Sequence, residues 1–205
     1  MSLNTLVRKT PSWTMYIVLL IPGVALFWSV LQDPGPNPVE SLEHGLGEFA
    51  LRILVLGLLI TPLRDTFKLD LIKFRRSIGL MAFSYVFAHM VVYLLLDKQL
   101  MWDPIIKDVT QRPYIMLGVV SFLILLLLAI TSNSWSIRKL GPVAWRKLHW
   151  WVYAACFLGV THFSLLKKTW QAEPLIYFGI FVVLIGYRGV KHLRVGLSLP
   201  TSKYR

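Results

Sequence analysis

Two histidines, His149 and His162, stand in one almost wholly apolar stretch between Lys147 and Lys168. The stretch is long enough to cross a bilayer, and histidines inside such a segment are costly unless something uses them. They lie thirteen residues apart, which is about 20 Å along a helix and places one near each face of the membrane. Neutral imidazole binds iron, and b-type haem is held in proteins by such side chains. A chain of redox centres across a membrane needs this placement. On an ideal helix, thirteen residues also turn the two side chains about 140° apart. His162 then shares a stripe with Gly159, Ala155, Val152 and Leu148, and His149 with Tyr153, Cys156 and Val160. Either the helix is distorted, with Gly159 the candidate point, or the two rings face different neighbours.

A third histidine, His89, sits about 10 Å from the far end of another apolar run, at a depth similar to that of His162. Ala82 and Ala88 beside it, and Ala155 and Gly159 beside His162, would leave room for a flat macrocycle. The competing reading makes Ala155-x-x-x-Gly159 a helix-packing motif and the histidines interhelical hydrogen bonders. His149 has no histidine partner at its own depth. Arg75 and Arg76, fourteen and thirteen residues before His89, are basic groups for a haem propionate, a flavin phosphate or a lipid phosphate. His44, Glu48 and Arg52 share one helical face. Glu48 and Arg52 either pair with each other or face a propionate or a quinone headgroup, and His44 is a further candidate ligand. His192, in the basic tail, reads as a solvated residue.

The elements that position these residues are six apolar spans, at about 13–31, 44–62, 77–96, 113–131, 147–166 and 174–190. Pro22-Gly23 is a candidate kink in the first, which reads as an uncleaved span because no Ala-x-Ala pattern follows it. Pro113 starts a helix after the longest connection. An apolar share of 56% and a net charge of +12 over 205 residues exclude an ordinary soluble domain. They direct the basic residues to membrane orientation rather than to nucleic acid. Sixteen of the 22 Lys and Arg lie in the amino terminus, the 63–76 and 132–146 segments with Lys147, and the tail from Arg188. Only Lys98, Lys107, Arg112, Lys167 and Lys168 lie on the opposite side. The expected architecture is therefore an all-α six-helix transmembrane bundle, one domain over 1–205, with both termini cytoplasmic. Trp13, Trp28, Trp135, Trp145 and Trp170 fall near span ends, as in an aromatic belt. The single cysteine, Cys156, supports neither a disulfide nor a cysteine metal site.

His44-x-x-Gly47, Thr61-Pro62-Leu63, Arg75-Arg76-x-x-Gly79-Leu80, His89, Arg112-Pro113-Tyr114-x-x-Leu117-Gly118, Arg138-Lys139-Leu140-Gly141, Leu148-His149, His162 and Pro174-Leu175-Ile176-Tyr177 carry a resemblance over nearly the whole chain. Together they resemble the haem-binding membrane subunits of bacterial MsrPQ methionine sulfoxide reductase systems, a branch of the ferric reductase-like transmembrane family. The resemblance implies a haem b electron-transfer subunit, with one or two haems, in the bacterial inner membrane. It implies His89, His149 and His162 as haem ligands and associates FMN with the family. It implies quinol or a cytosolic flavin reductase as donor, and as acceptor MsrP, a periplasmic molybdenum-containing reductase that performs the catalysis on methionine sulfoxide. Relatives among NADPH oxidases carry two histidines on each of two helices, whereas the third span here carries only His89.

Two other readings compete. A small transporter or haem-handling permease would show related halves or broken helices around a midplane site, and Pro22-Gly23 is the one such signal. A general cytochrome b reductase would pass electrons to another acceptor. A self-contained ferric reductase would need a nicotinamide domain with Gly-x-Gly-x-x-Gly, and the sequence has no such fingerprint.

Overall fold

The computed structural model describes residues 3–166 and 172–197. Lys167, Lys168, Trp170 and the side chain of His192 lie outside the described residues. The described elements are α1 (Leu3–Lys9), α2 (Thr14–Gln32), α3 (Pro38–Phe67), α4 (Arg75–Val92), α5 (Trp102–Gln111), α6 (Pro113–Ile130), α7 (Ser134–Leu140), α8 (Pro142–His149), α9 (Trp151–Leu166) and α10 (Ala172–Leu197). A 3₁₀ turn over Ile72–Phe74 leads into α4, and a π turn over Tyr93–Asp97 prolongs it. No strand occurs among the described residues.

Five helical stretches are long and apolar enough to cross a membrane: Thr14–Gln32, Pro38–Phe67, Ile72–Asp97, Pro113–Ile130 and Ala172–Lys191. The expected span at 147–166 is not one helix. Gly141 takes a left-handed φ of 77°, Pro142 opens α8, and α9 begins only at Trp151. Between them the Trp150 N–H donates to Lys147 O and the Tyr153 N–H to Trp150 O. These three-residue bonds tighten the chain at the join. The distortion therefore falls at Trp150 and not at Gly159, which lies inside the continuous α9.

The outer faces of the bundle are apolar. Ile17, Leu20, Ile21 and Val24 on α2 are exposed, as are Leu123 and Leu127 on α6. Such faces suit a hydrocarbon solvent, in which helices satisfy their own backbone polar groups. At the centre, α3 buries Leu42, Leu46, Ala50, Leu54 and Leu58, one every four residues. Ile78, Ala82 and Tyr85 of α4 are buried in the same core, and His89 continues their spacing by one more turn. α6 and α9 form a second close pair. The buried Ser121 hydroxyl of α6 donates to Ala155 O of α9 at 2.9 Å, and a Cβ on Gly159 would lie 3.6 Å from that Oγ.

Pro22 and Pro62, deep inside α2 and α3, open the backbone to a side chain. Pro62 has no N–H for the Leu58 carbonyl, and Arg188 Nη2 of α10 donates to that oxygen at 3.2 Å. Next to Pro22, the Tyr85 hydroxyl accepts from the Gly23 N–H and donates to the Leu19 carbonyl, each at 2.7 Å. A tyrosine thus stands inside the α2 hydrogen-bond ladder, one of the defined causes of a helix kink. A Cβ at Gly23 would meet that hydroxyl at 2.8 Å, so the position requires glycine.

Beyond the π turn, left-handed Gln99 and Leu100 turn the chain into α5. Lys98 bridges Asp97 and the buried Asp108 at 2.8 Å each, and Arg112 reaches Asp108 at 3.3 Å. This cluster fixes α5 across the same end of the bundle as His89.

Candidate functional site

His89 of α4 and His162 of α9 face each other with ring centroids 6.4 Å apart and planes at 75°. Their Nδ1 atoms are held in the same way. His89 Nδ1 lies 2.9 Å from Glu43 O on α3, and His162 Nδ1 lies 2.6 Å from Tyr114 O on α6. A carbonyl can only accept, so each Nδ1 carries the proton and each Nε2 keeps its lone pair. No Nε2 partner occurs for either ring among the described residues. This is the tautomer of a metal-ligating histidine, oriented by a second partner on its other nitrogen.

Glycines make both approaches feasible. Four residues after Glu43 comes Gly47, where a Cβ would sit 3.5 Å from His89 Nδ1. Four residues after Tyr114 comes Gly118, where a Cβ would sit 3.0 Å from His162 Nδ1. In each helix the ring lies against the glycine and bonds the carbonyl one turn earlier. The two helical pairs, α3 with α4 and α6 with α9, thus offer one imidazole each in the same manner. The glycine-to-histidine separations, 42 and 44 residues, are nearly equal.

The spacing excludes a direct hydrogen bond between the two rings. A direct N–H···N bond of about 2.9 Å would bring the centroids to about 5.2 Å. Two imidazoles on opposite sides of one ion, with bonds of about 2.05 Å and about 1.15 Å from nitrogen to ring centre, give about 6.4 Å. The observed 6.4 Å is too long for the first and leaves room for an ion between the rings. Among the described residues no three His, Cys, Asp or Glu side chains gather to hold a bare metal ion. Haem carries most of its iron's ligands itself, and His89 and His162 would be the side chains to hold it. The residues present therefore fit haem.

The small residues expected to leave room for a macrocycle do other work. Ala82 and Ala155 are 0% exposed and packed in the core, and Gly159 adjoins Ser121. Ala88 lines an apolar groove of ≈ 350 Å³ with Leu46, Ser84 and Tyr85 of α3 and α4 and several α2 residues. The glycines that serve the histidines are on the facing helices, where composition around the histidines does not reveal them. The nearly equal spacings to His89 and His162 were the available signal.

His149 stands apart from this pair. It ends α8 and stacks on Trp145 at 3.9 Å. The Thr131 hydroxyl donates to Leu127 O at 2.8 Å and lies 3.3 Å from His149 Nε2. Toward His149 it acts as acceptor, so Nε2 carries the proton and Nδ1 is the nitrogen with a lone pair. The two histidines of the 147–168 stretch do face different neighbours. Arg75 and Arg76 are exposed at the start of α4, and Arg75 lies within electrostatic range of His149 and Tyr153.

Arg52 pairs with Glu48 at 2.9 Å, donates to Tyr177 on α10 at 3.0 Å and lies over Phe49. Its Nε and Nη2 are occupied within the protein, which favours the simple pairing over a ligand. His44 adjoins Glu43, but its ring makes no hydrogen bond among the described residues. Sequence reasoning missed the roles of Gly47, Gly118, Tyr85, Thr131 and Arg188. Each acts through a backbone atom or a single hydroxyl that periodicity does not register.

Apolar helices with two facing imidazoles, each tied to a backbone carbonyl through Nδ1, are features of the class of haem-binding membrane proteins. The family model described as "Ferric reductase like transmembrane component" matches residues 46–160. The chain is 49% identical over 180 residues to the "Protein-methionine-sulfoxide reductase heme-binding subunit MsrQ" of Agrobacterium fabrum, covering 87% of this chain and 83% of that one. It is 42% identical to proteins of the same name from Brucella anthropi, over 87% and 81%, and from Brucella ovis, over 88% and 85%. The chain belongs to the MsrQ family of haem-binding subunits, within the ferric reductase-like transmembrane components. It is a multi-pass membrane protein with a role in electron transfer.

Proposed function

We propose that this chain carries electrons across the bacterial inner membrane to a periplasmic methionine sulfoxide reductase, MsrP, through haem b bound between His89 and His162. The observation that carries the reading is the 6.4 Å imidazole pair with both Nδ1 atoms tied to backbone carbonyls. When bound, haem supplies reversible one-electron chemistry at iron. The chain's own residues do the rest. Glu43 O and Tyr114 O fix the tautomers and raise the donor strength of the rings. Gly47 and Gly118 admit the rings, and the apolar bundle excludes water from the site.

Six spans with both termini cytoplasmic put this pair toward the periplasm, supported by the sixteen-to-five division of basic residues. His149 then lies toward the cytoplasm, with Arg75 within electrostatic range, and is the candidate ligand of a second haem. Electrons enter there from quinol or a cytosolic flavin reductase. For the FMN implied by the resemblance, the exposed Arg75 and Arg76 are the candidate phosphate contacts. Catalysis on methionine sulfoxide belongs to the partner, as the names of the relatives suggest.

The test is direct. The purified protein is reduced, and oxidised MsrP with a methionine sulfoxide substrate is added. The reduced haem band bleaches at a rate proportional to MsrP, and His89→Ala or His162→Ala abolishes it. Haem that stays reduced with MsrP but oxidises with quinone or a ferric chelate contradicts the acceptor and favours a general cytochrome b reductase.

A further inference from the structure

Arg188 is a cation without an anion. Its guanidinium reaches in from α10 toward α3 and α9. Nη1 donates to the Tyr153 hydroxyl, and Nη2 donates to Thr61 Oγ1 at 2.9 Å and to Leu58 O at 3.2 Å. All three acceptors are neutral. Nε is buried and has no hydrogen-bond partner. Among the described residues no carboxylate oxygen comes within salt-bridge distance of Arg188. The nearest acid on α3, Asp65, is taken by Lys191 at 2.5 Å and by the Tyr187 hydroxyl at 3.0 Å.

Filling the gap at Pro62 accounts for Nη2 alone. It leaves the buried Nε unpartnered and the half-buried guanidinium, which lies over the Tyr153 ring, without a carboxylate. Arg75 and Asp65 both lie within electrostatic range of Arg188, and Arg75 also within that of Tyr153 and His149. The neighbouring cavity of ≈ 640 Å³ between the ends of α3 and α10 is a different case. Its Arg64 and Lys191 already pair with Asp65.

We propose that Arg188, with Arg75, binds the oxyanion of a ligand seated beside His149 among α4, α9 and α10. Arginine suits this task because its planar fork takes carboxylate or phosphate with two parallel bonds. Two sources present that chemistry at this depth: the carboxylate of a haem at His149, or the phosphate of a membrane lipid that enters between the helices. Only the first source rests on the two-centre relay proposed above.

The experiment compares the wild type with Arg188→Gln and Arg188→Lys, purified into nanodiscs of phosphatidylglycerol and phosphatidylcholine. Haem per protein, the redox titration of each haem component and co-purified phospholipid are measured. The spectrum of the His89–His162 pair reports that the fold is intact. If the anion is a haem carboxylate, Arg188→Gln shifts the reduction equilibrium of the second component about tenfold toward ferric, about 59 mV lower, or releases that haem. Arg188→Lys restores part of the shift. If it is a lipid phosphate, Arg188→Gln loses bound phosphatidylglycerol and leaves both haem components unchanged. A variant that keeps haem content, potentials and lipid content at wild-type values overturns the proposal. A wild type with one haem component removes the His149 centre from the proposed relay, and Arg188 is then judged on the lipid measurement alone.

Discussion

Gly47 and Gly118 are packed against the two imidazoles unequally, and this asymmetry is testable. A methyl group at Gly118 would stand 3.0 Å from His162 Nδ1, whereas one at Gly47 would stand 3.5 Å from His89 Nδ1. The first presses the ring by a few tenths of an ångström against its contact with the Tyr114 carbonyl, and the second makes ordinary contact. Gly118→Ala is expected to lower haem occupancy severalfold, while Gly47→Ala keeps near wild-type occupancy. Haem absorbance per protein reads both, and equal losses would contradict the account of the cradle. Tyr85→Phe leaves the buried Gly23 N–H and Leu19 carbonyl without their bridge, an expected cost of about 1–3 kcal/mol. A lower thermal unfolding midpoint in detergent checks it. At this scale the sequence displays its histidines well, because His89 and His162 are rare polar residues at matched depth. It hides their partners, because Glu43 and Tyr114 contribute backbone oxygen and any residue has one.

Among the elements, α5 depends on charge. Burial alone would raise the pKa of the Asp108 carboxyl, but Lys98 at 2.8 Å, helped by Arg112, outweighs it and holds that pKa below the ordinary value. A depressed carboxyl contributes stability that is complete above its unfolded value of about 3.9 and is lost as pH falls through the folded one. Protease protection of the 98–112 segment should therefore be flat from neutral pH downward and fail only below about pH 4. Asp108→Asn should weaken it at every pH. Protection that declines already between pH 7 and pH 5 would place the controlling group elsewhere. Helix ends were the least legible feature of the sequence. α3 runs over Pro38–Phe67, well beyond the expected 44–62. Charged Glu40, Glu43, Arg64 and Asp65 end the apolar run but not the helix, and Arg64 and Asp65 pair with each other at 3.7 Å. The break at Trp150 was equally hidden, since apolar residues continue through it while the backbone bonds change.

For the whole molecule, the apolar runs located the helices and the basic residues suggest their direction. The relation between α3–α4 and α6–α9 was not visible, because it consists of one glycine, one carbonyl and one histidine per half. At 16 residues, α9 spans only about 24 Å of a hydrocarbon core of about 30 Å. The six-span arrangement therefore needs α8 or local thinning at that end. Reporter fusions after Asp103 should read periplasmic, and those after Lys139 and at Arg205 cytoplasmic. A periplasmic carboxy terminus would reverse the relay. The central claim concerns the paired imidazoles, and the optical and electron paramagnetic resonance spectra of three single variants test it most directly. His89→Ala and His162→Ala should each convert the same low-spin haem to a high-spin form or release it, and His149→Ala should leave that haem intact. A His89→Ala or His162→Ala protein that retains the full low-spin signal and haem content would contradict a haem held between these two residues.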